Sequence, residues 1–229
     1  MSLQERLAGI ETRIADACRR SGRERDEVRI IAVTKYASLE TTAEAVKLGL
    51  THIGENRWQD AKPKWESIGN QATWHFIGSL QTNKVKYVVG RFAYIHSLDR
   101  LSLALEIEKK AAAIGETVSC FIQLNVSGEE SKHGLPPDGL FAFARQCADL
   151  PHVRIVGLMT MAPLDSEGES SRPVFRRLRE LRDGLNEAKL LPYQVPHLSM
   201  GMSQDFEIAI EEGATWIRLG TVLVGKDDG

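Results

Sequence analysis

Apolar residues in this chain fall into short runs whose period switches repeatedly between helical and extended. Leu3, Leu7, Ile10, Ile14 and Ala17 share one helical stripe that stops near Gly22, so the chain opens on an amphipathic helix over Leu3 to Arg20. The next run, "VRIIAVTKYAS", is almost continuously apolar from Val28 to Val33, the pattern of a strand covered on both faces. Strand-like and helix-like segments alternate from there. The predicted strands are Arg29 to Thr34, His52 to Gly54, Thr73 to Ile77, Ala93 to His96, Ser119 to Asn125, Ile155 to Met159, His197 to Ser199 and Trp216 to Leu219. Between them lie helical patterns near Leu39 to Leu48, Arg57 to Ser67, Lys84 to Val88, Leu101 to Ala113, Gly139 to Ala148, Val174 to Ala188 and Asp205 to Glu211.

That is about eight β/α units in 229 residues, close to the usual size of a (β/α)₈ barrel. The expected architecture is a single α/β domain over residues 1–229, a TIM barrel with an additional N-terminal helix. An open doubly wound parallel sheet is the alternative, and it usually has fewer strands. No Pro- or Ser-rich linker divides the chain; "APLDSEGESSRP" reads as one long surface loop.

Composition narrows the function classes. With 42% hydrophobic and 26% charged residues the chain is an ordinary globular protein, and a net charge of −2 gives no electrostatic reason to expect nucleic acid or an anionic membrane. The basic clusters "CRRSGRER" and "SRPVFRRLRELRDG" alternate with acidic or apolar residues, as solvated helix faces do. Cys18, Cys120 and Cys147 are far apart and lack CxxC spacing, which argues against a disulfide framework or a zinc site. The six histidines are scattered, with no HExxH pair and no metal expected. The N-terminus lacks the apolar core of a signal peptide, and no apolar run approaches the ~20 residues a bilayer span needs, so a cytoplasmic protein is expected.

Candidate chemistry collects where strands end, because barrels carry their functional groups at the C-terminal ends of the strands. Lys35 stands there, after the first strand: it can anchor a phosphate, attack a carbonyl or snorkel into water. Gly54, Glu55 and Asn56, His75 and Gly78, Asn125 and Ser127, and Met159 and Thr160 meet the same condition. Each alone is ordinary turn chemistry; together they line one mouth with polar groups. The last two units, "HLSMGMSQDFE" and "WIRLGTVLVG", place Ser199, Gly201, Arg218, Gly220 and Thr221 at the two loops where barrels frequently hold phosphate. Ser203 reads instead as the N-cap of the helix containing Phe206 and Ile210. In a closed barrel the eighth strand pairs with the first at ~4.8 Å, so Lys35 would reach over that phosphate site. An amine beside a phosphate cradle and an arginine suits a small phosphorylated aldehyde held as a Schiff base, and pyridoxal 5′-phosphate fits.

The stretches "AVTK", "GENRWQ", "WHFIGSLQTNK", "NVSGEESKHGL", "GLMTM", "LSMGMSQDFEIAI" and "RLGTVLVG" resemble, in order and over nearly the whole chain, the pyridoxal phosphate homeostasis protein family. The resemblance implies the barrel of the alanine racemase N-terminal domain, a fold type III pyridoxal phosphate protein, with the cofactor bound covalently through Lys35. It also implies phosphate contacts from Ser199, Gly220 and Thr221, Arg218 facing the ring nitrogen, and Asn56, His75, Met200 and Gly201 in the motifs around the cofactor. Tyr36, Ala37 and Ser38 replace the family's usual Thr-Lys-Pro run, and Arg57 replaces its usual tyrosine. The missing second lysine bears on any cofactor-transfer step that uses it, and leaves Schiff-base formation at Lys35 unaffected.

A guanidinium stays protonated and cannot accept a proton, so a ring nitrogen facing Arg218 remains neutral and the ring is a weak electron sink. Racemases related by fold add a second base from a further β domain, whereas this chain ends at Gly229, ten residues after Leu219. The function expected, as the resemblance implies, is non-enzymatic storage, buffering or delivery of pyridoxal phosphate, by a monomer, with pyridoxal phosphate-dependent apo-enzymes as candidate recipients. The alternatives are an amino-acid racemase or lyase of narrow scope, using Lys35 with His75 or Tyr36 as bases, and a phosphosugar barrel with Lys35 as a Schiff-base lysine.

Overall fold

In the computed structural model, which describes residues 1–129, 133–163 and 168–225, the opening amphipathic stretch is helix α1 (Leu3–Ser21). Its start is a capping box: Ser2 Oγ accepts the Glu5 N–H at 3.2 Å and the Glu5 carboxylate accepts the Ser2 N–H at 2.7 Å. Gly22 ends it at φ 66°, a left-handed position that costs glycine nothing. The buried stripe of Leu3, Ile10, Ile14 and Ala17 packs on α8 (Phe206–Glu211) and α9 (Thr221–Val224), the helices flanking the last strand.

The strands are β1 (Arg29–Val33), β2 (His52–Glu55), β3 (Thr73–Phe76), β4 (Tyr94–Leu98), β5 (Val118–Gln123), β6 (Val153–Met159), β7 (His197–Ser199) and β8 (Trp216–Leu219). They form a closed barrel in sequence order, and β8 pairs parallel with β1, Ile31 opposite Arg218 and Ala32 opposite Leu219. Closure excludes the open doubly wound sheet. The intervening helices are α2 (Leu39–Lys47), α3 (Trp58–Ile68), α4 (Val85–Val88), α5 (Leu101–Ile114), α6 (Leu140–Ala148) and α7 (Arg172–Glu187). The stretch 162–173 lies partly outside the described residues; Gly168–Ser171 forms a single 3₁₀ turn ahead of α7. Among the described residues no helix is long and apolar enough to cross a membrane.

Alternation along each strand makes two cores. Ala32, Ile53, Ile217 and Leu219 face the helical shell, while Ile31, Phe121, Met159 and Trp216 fill the barrel interior. Bulky interior residues need small partners: a Cβ on Gly54 would lie 2.7 Å from Ile31, and one on Gly157 would lie 2.4 Å from the Phe121 ring. On β1 Val33 shares Ile31's parity, and Lys35 follows two residues later, just past the C-terminal end of the strand.

Candidate cofactor site

Thr34, the residue before Lys35, is pinned on four sides. Its N–H donates to Gly54 O at 3.1 Å, its carbonyl accepts from Ala37 N at 2.9 Å and Lys64 Nζ at 2.6 Å, and its hydroxyl donates to Glu55 Oε1 at 2.6 Å. Lys35 and Tyr36 are thereby the central residues of a tight turn, after which Ser38 caps α2 by accepting the Thr41 N–H at 3.1 Å. The lysine is half-buried, with Nζ 5.0 Å from the ring centroid of the exposed Tyr36. A second amine stands behind the turn, but Lys64 Nζ is held 2.8 Å from Glu55 Oε1 in an ion pair whose side chains are 7% and 0% exposed. Of these two amines, Lys35 is the one free to meet a ligand.

Across the seam, Gly220 follows β8, and a Cβ built on it would sit 3.7 Å from Val33, two residues before Lys35. Thr221 is exposed and opens α9, whose Leu223 and Val224 N–H groups both return to Gly220 O at 2.8 and 3.0 Å. The Thr221 and Val222 amides lead that turn and have no carbonyl behind them within it. Arg218, 4% exposed, donates from Nη1 to Ser199 Oγ at 2.7 Å and from Nη2 to Thr160 O at 2.9 Å. Desolvation pushes its pKa down to about 10, with the Asp205 carboxylate opposing the shift, so the guanidinium is charged at neutral pH.

The β1–β8 pairing therefore puts the strand end that precedes Lys35 beside the strand that carries Arg218 and leads into Gly220 and Thr221. Among the other residues singled out from sequence, Thr160, Ser199 and Gly201 are hydrogen-bonded to Arg218. Ser199 is fully enclosed, and its hydroxyl is shared between Arg218 at 2.7 Å and His96 Nδ1 at 2.9 Å. Met200 is core, its N–H donating to Trp216 O at 3.1 Å. Gly201, at φ 92°, is needed because a Cβ would lie 2.6 Å from that of Ala209; its carbonyl accepts the Arg218 N–H at 3.0 Å. Asn56 directly follows β2, the strand next to β1, and lines a cavity of about 460 Å³ with Arg57, Ser79, Gln81 and Lys84. His75 is deep in the interior, bonded on both ring nitrogens. Ser203 is not the cap of α8: Asp205 holds the N-cap position and closes the preceding turn by accepting the Met202 N–H at 2.6 Å.

Sequence reasoning missed His52, His96 and Lys64. The signal available was parity: His52, His75, His96 and His197 all fall on inward positions of β2, β3, β4 and β7, beside Trp216 or Phe121. Among the described residues no cluster of His, Cys, Asp and Glu is arranged for a metal ion.

The alanine racemase N-terminal domain family matches residues 6–228. A pyridoxal phosphate homeostasis protein of Aquifex aeolicus is 45% identical over 229 residues, covering 99% of each chain. That of Pseudomonas aeruginosa is 38% identical over 228 residues, covering 99% of this chain and 96% of its own. The structure of PipY from Synechococcus elongatus with pyridoxal phosphate bound has a TM-score of 0.84 at 35% identity, covering 98% of this chain and 100% of that one. Alanine racemase of Clostridium difficile, at 15% identity and a TM-score of 0.75 over 99% of this chain and 57% of its own, shares the fold. On this likeness, which spans the whole barrel and both strands of the seam, the chain belongs to the pyridoxal phosphate homeostasis protein family, built on the alanine racemase N-terminal domain.

Proposed function

We propose that this chain binds pyridoxal 5′-phosphate at the β1–β8 mouth and serves the homeostasis of that cofactor in the cytoplasm, as a monomeric store, buffer or donor to apo-enzymes. The observation that supports the reading is the parallel pairing of β8 with β1, which makes neighbours of the strand that leads to an available amine and the strand that carries a buried guanidinium and leads to a hydroxyl with two leading amides. This donor set fits the cofactor group by group. Pyridoxal phosphate supplies an aldehyde that condenses with a primary amine, and Lys35 is the available amine because Lys64 is locked to Glu55 and Thr34. Gly220, Thr221 and Val222 present the hydroxyl and N–H groups for phosphate. Arg218 has only donors to offer, so it holds a ring nitrogen as an unprotonated acceptor.

That last feature favours holding the cofactor over turning it into an electron sink. Proton transfer to substrate would also need a free base, and His75 is fully enclosed with both ring nitrogens engaged. Tyr36, 69% exposed beside Lys35, leaves the mouth open to exchange. Borohydride reduction of the protein saturated with pyridoxal phosphate, followed by peptide mass spectrometry, should place the adduct on Lys35. A reducible adduct that persists in Lys35→Ala, or turnover of any amino acid in a saturated panel, would overturn the reading.

A further inference from the structure

Three histidines cross the barrel interior in series. His52 Nδ1 lies 3.1 Å from His75 Nε2, His75 Nδ1 lies 2.9 Å from His96 Nε2, and His96 Nδ1 lies 2.9 Å from Ser199 Oγ. Ser199 Oγ accepts Arg218 Nη1 at 2.7 Å. His75 is stacked on Tyr94 at 4.6 Å and 7°, and His96 on Phe121 at 4.1 Å and 12°, so neither ring can swing out of line. His52 is half-buried at the first residue of β2, edge-on to Trp216. The series thus leads from the N-terminal half of the barrel up to the residue that lies beneath the opposite mouth.

Desolvation, with the charge of neighbouring groups adding to it, holds His75 and His96 well below the usual imidazole range, so each is neutral and carries one N–H. Each nitrogen–nitrogen contact holds a single hydrogen, which sets the tautomers in series. Only two arrangements satisfy every contact: all three rings protonated on Nε2, or all three on Nδ1. Arg218 can only donate to Ser199. In the Nδ1 arrangement His96 also donates to Ser199, and the enclosed hydroxyl hydrogen loses its acceptor. In the Nε2 arrangement Ser199 gives that hydrogen to His96. The second is favoured roughly fivefold or more, the cost of one unpaired buried donor.

We propose that His52, His75, His96 and Ser199 are positioning residues for Arg218: a polarised hydrogen-bond chain in which the accepting nitrogen of every imidazole points toward the guanidinium and every N–H points away from it. Among the described residues no carboxylate is in ion-pair contact with Arg218 and Asp205 acts on it only from a distance, so the aligned imidazole dipoles supply the near compensation that an ion-pair partner would give. Donation from Ser199 to His96 makes Ser199 Oγ a better acceptor for Arg218. Ser199 and the Thr160 carbonyl together fix the plane of the guanidinium, with its other N–H groups left over for a ligand. As a means of presenting Arg218 to a ring nitrogen the chain rests on the cofactor reading above; as a set of linked tautomers it does not.

The test begins with ¹⁵N-histidine-labelled protein without added cofactor, read by long-range ¹H–¹⁵N correlation, which separates the two tautomers. At pH 7 His75 and His96 should both be Nε2–H by fivefold or more. Ser199→Ala should bring both toward equal populations, including His75, which does not touch Ser199. Opposite tautomers in the wild type, or a His75 that stays put while His96 shifts, would overturn the chain. Where Ser199→Ala fails to fold, Ser199→Cys, a weaker donor of similar size, should give the same joint shift in smaller measure. In protein saturated with pyridoxal phosphate, His75→Phe, which touches neither Arg218 nor Ser199, should weaken binding three- to tenfold and move the visible band. An unchanged band and affinity would sink the positioning role, whereas a wild type that takes up no pyridoxal phosphate would sink the cofactor reading and leave the tautomer result standing.

Discussion

Replacing Lys64 with methionine would test how the Lys35 turn is held. Lys64 Nζ lies 2.8 Å from Glu55 Oε1 and 2.6 Å from Thr34 O, and the pair is 7% and 0% exposed. Glu55 Oε2 has no hydrogen-bond partner among the described residues, so without Lys64 the carboxylate keeps only the Thr34 hydroxyl in a dry site. Methionine fills nearly the same volume, which makes the loss almost wholly electrostatic. Removing one partner of a buried pair costs about 3–5 kcal/mol. At 2–4 °C per kcal/mol for a chain of this size, that is a fall in Tm of roughly 6–20 °C. Adding Glu55→Gln should recover most of it: the amide oxygen accepts from Thr34 Oγ1, the amide nitrogen can replace Lys64 at Thr34 O, and no charge is left buried. Urea unfolding of the wild type, both single variants and the double variant gives the coupling directly. A cost below about 1 kcal/mol for Lys64→Met, or a double variant no more stable than Lys64→Met alone, would refute the picture of a dry, mutually dependent pair.

Thr221→Val removes one hydroxyl at an exposed position and should weaken pyridoxal phosphate binding by roughly tenfold, a charged hydrogen bond's worth, while leaving pyridoxal almost unaffected in the same fluorescence titration; equal weakening would remove Thr221 from the phosphate site. Stability should depend on pH in a defined direction. His75 and His96 are held neutral by burial in the fold, while in the unfolded chain they take up protons below about pH 6.5. Their folded pKa values are depressed, so stability is full above that pH and falls as pH drops toward the folded values, by about 1.4 kcal/mol per unit for each histidine. Urea midpoints between pH 6.5 and 5 should show the slope, and His75→Phe should reduce it; a slope unchanged by that variant would mean that His75 is protonated in the fold.

Much of the barrel was legible in the chain because each strand and helix writes its burial into its own period. The run at Val28 to Val33 announced a strand covered on both faces, and the strand after it began at His52 as read. Lys35 was legible for the same reason: a charge at the end of an apolar run marks the place where a strand leaves the core. Local competition was harder to see. Ser203 looks like a cap, but Asp205 takes the turn because its carboxylate reaches the Met202 N–H. Thr221 looks like a loop residue, but four residues after Gly220 suffice for one helical turn.

What the sequence by itself determined was the inventory: eight strands, the helices between them, and which polar groups stand at strand ends. Barrel closure decided the rest, by seating Arg218 opposite Ile31 and Ser199 between His96 and Arg218. Those partners are 187, 103 and 19 residues apart in order along the chain, and a period of two reports parity but carries no record of which strand lies across the interior. Ser199 shows the consequence. Its type and its place at a strand end pointed to phosphate, yet the side chain faces the axis, and there the nearest unsatisfied groups were an imidazole and a guanidinium.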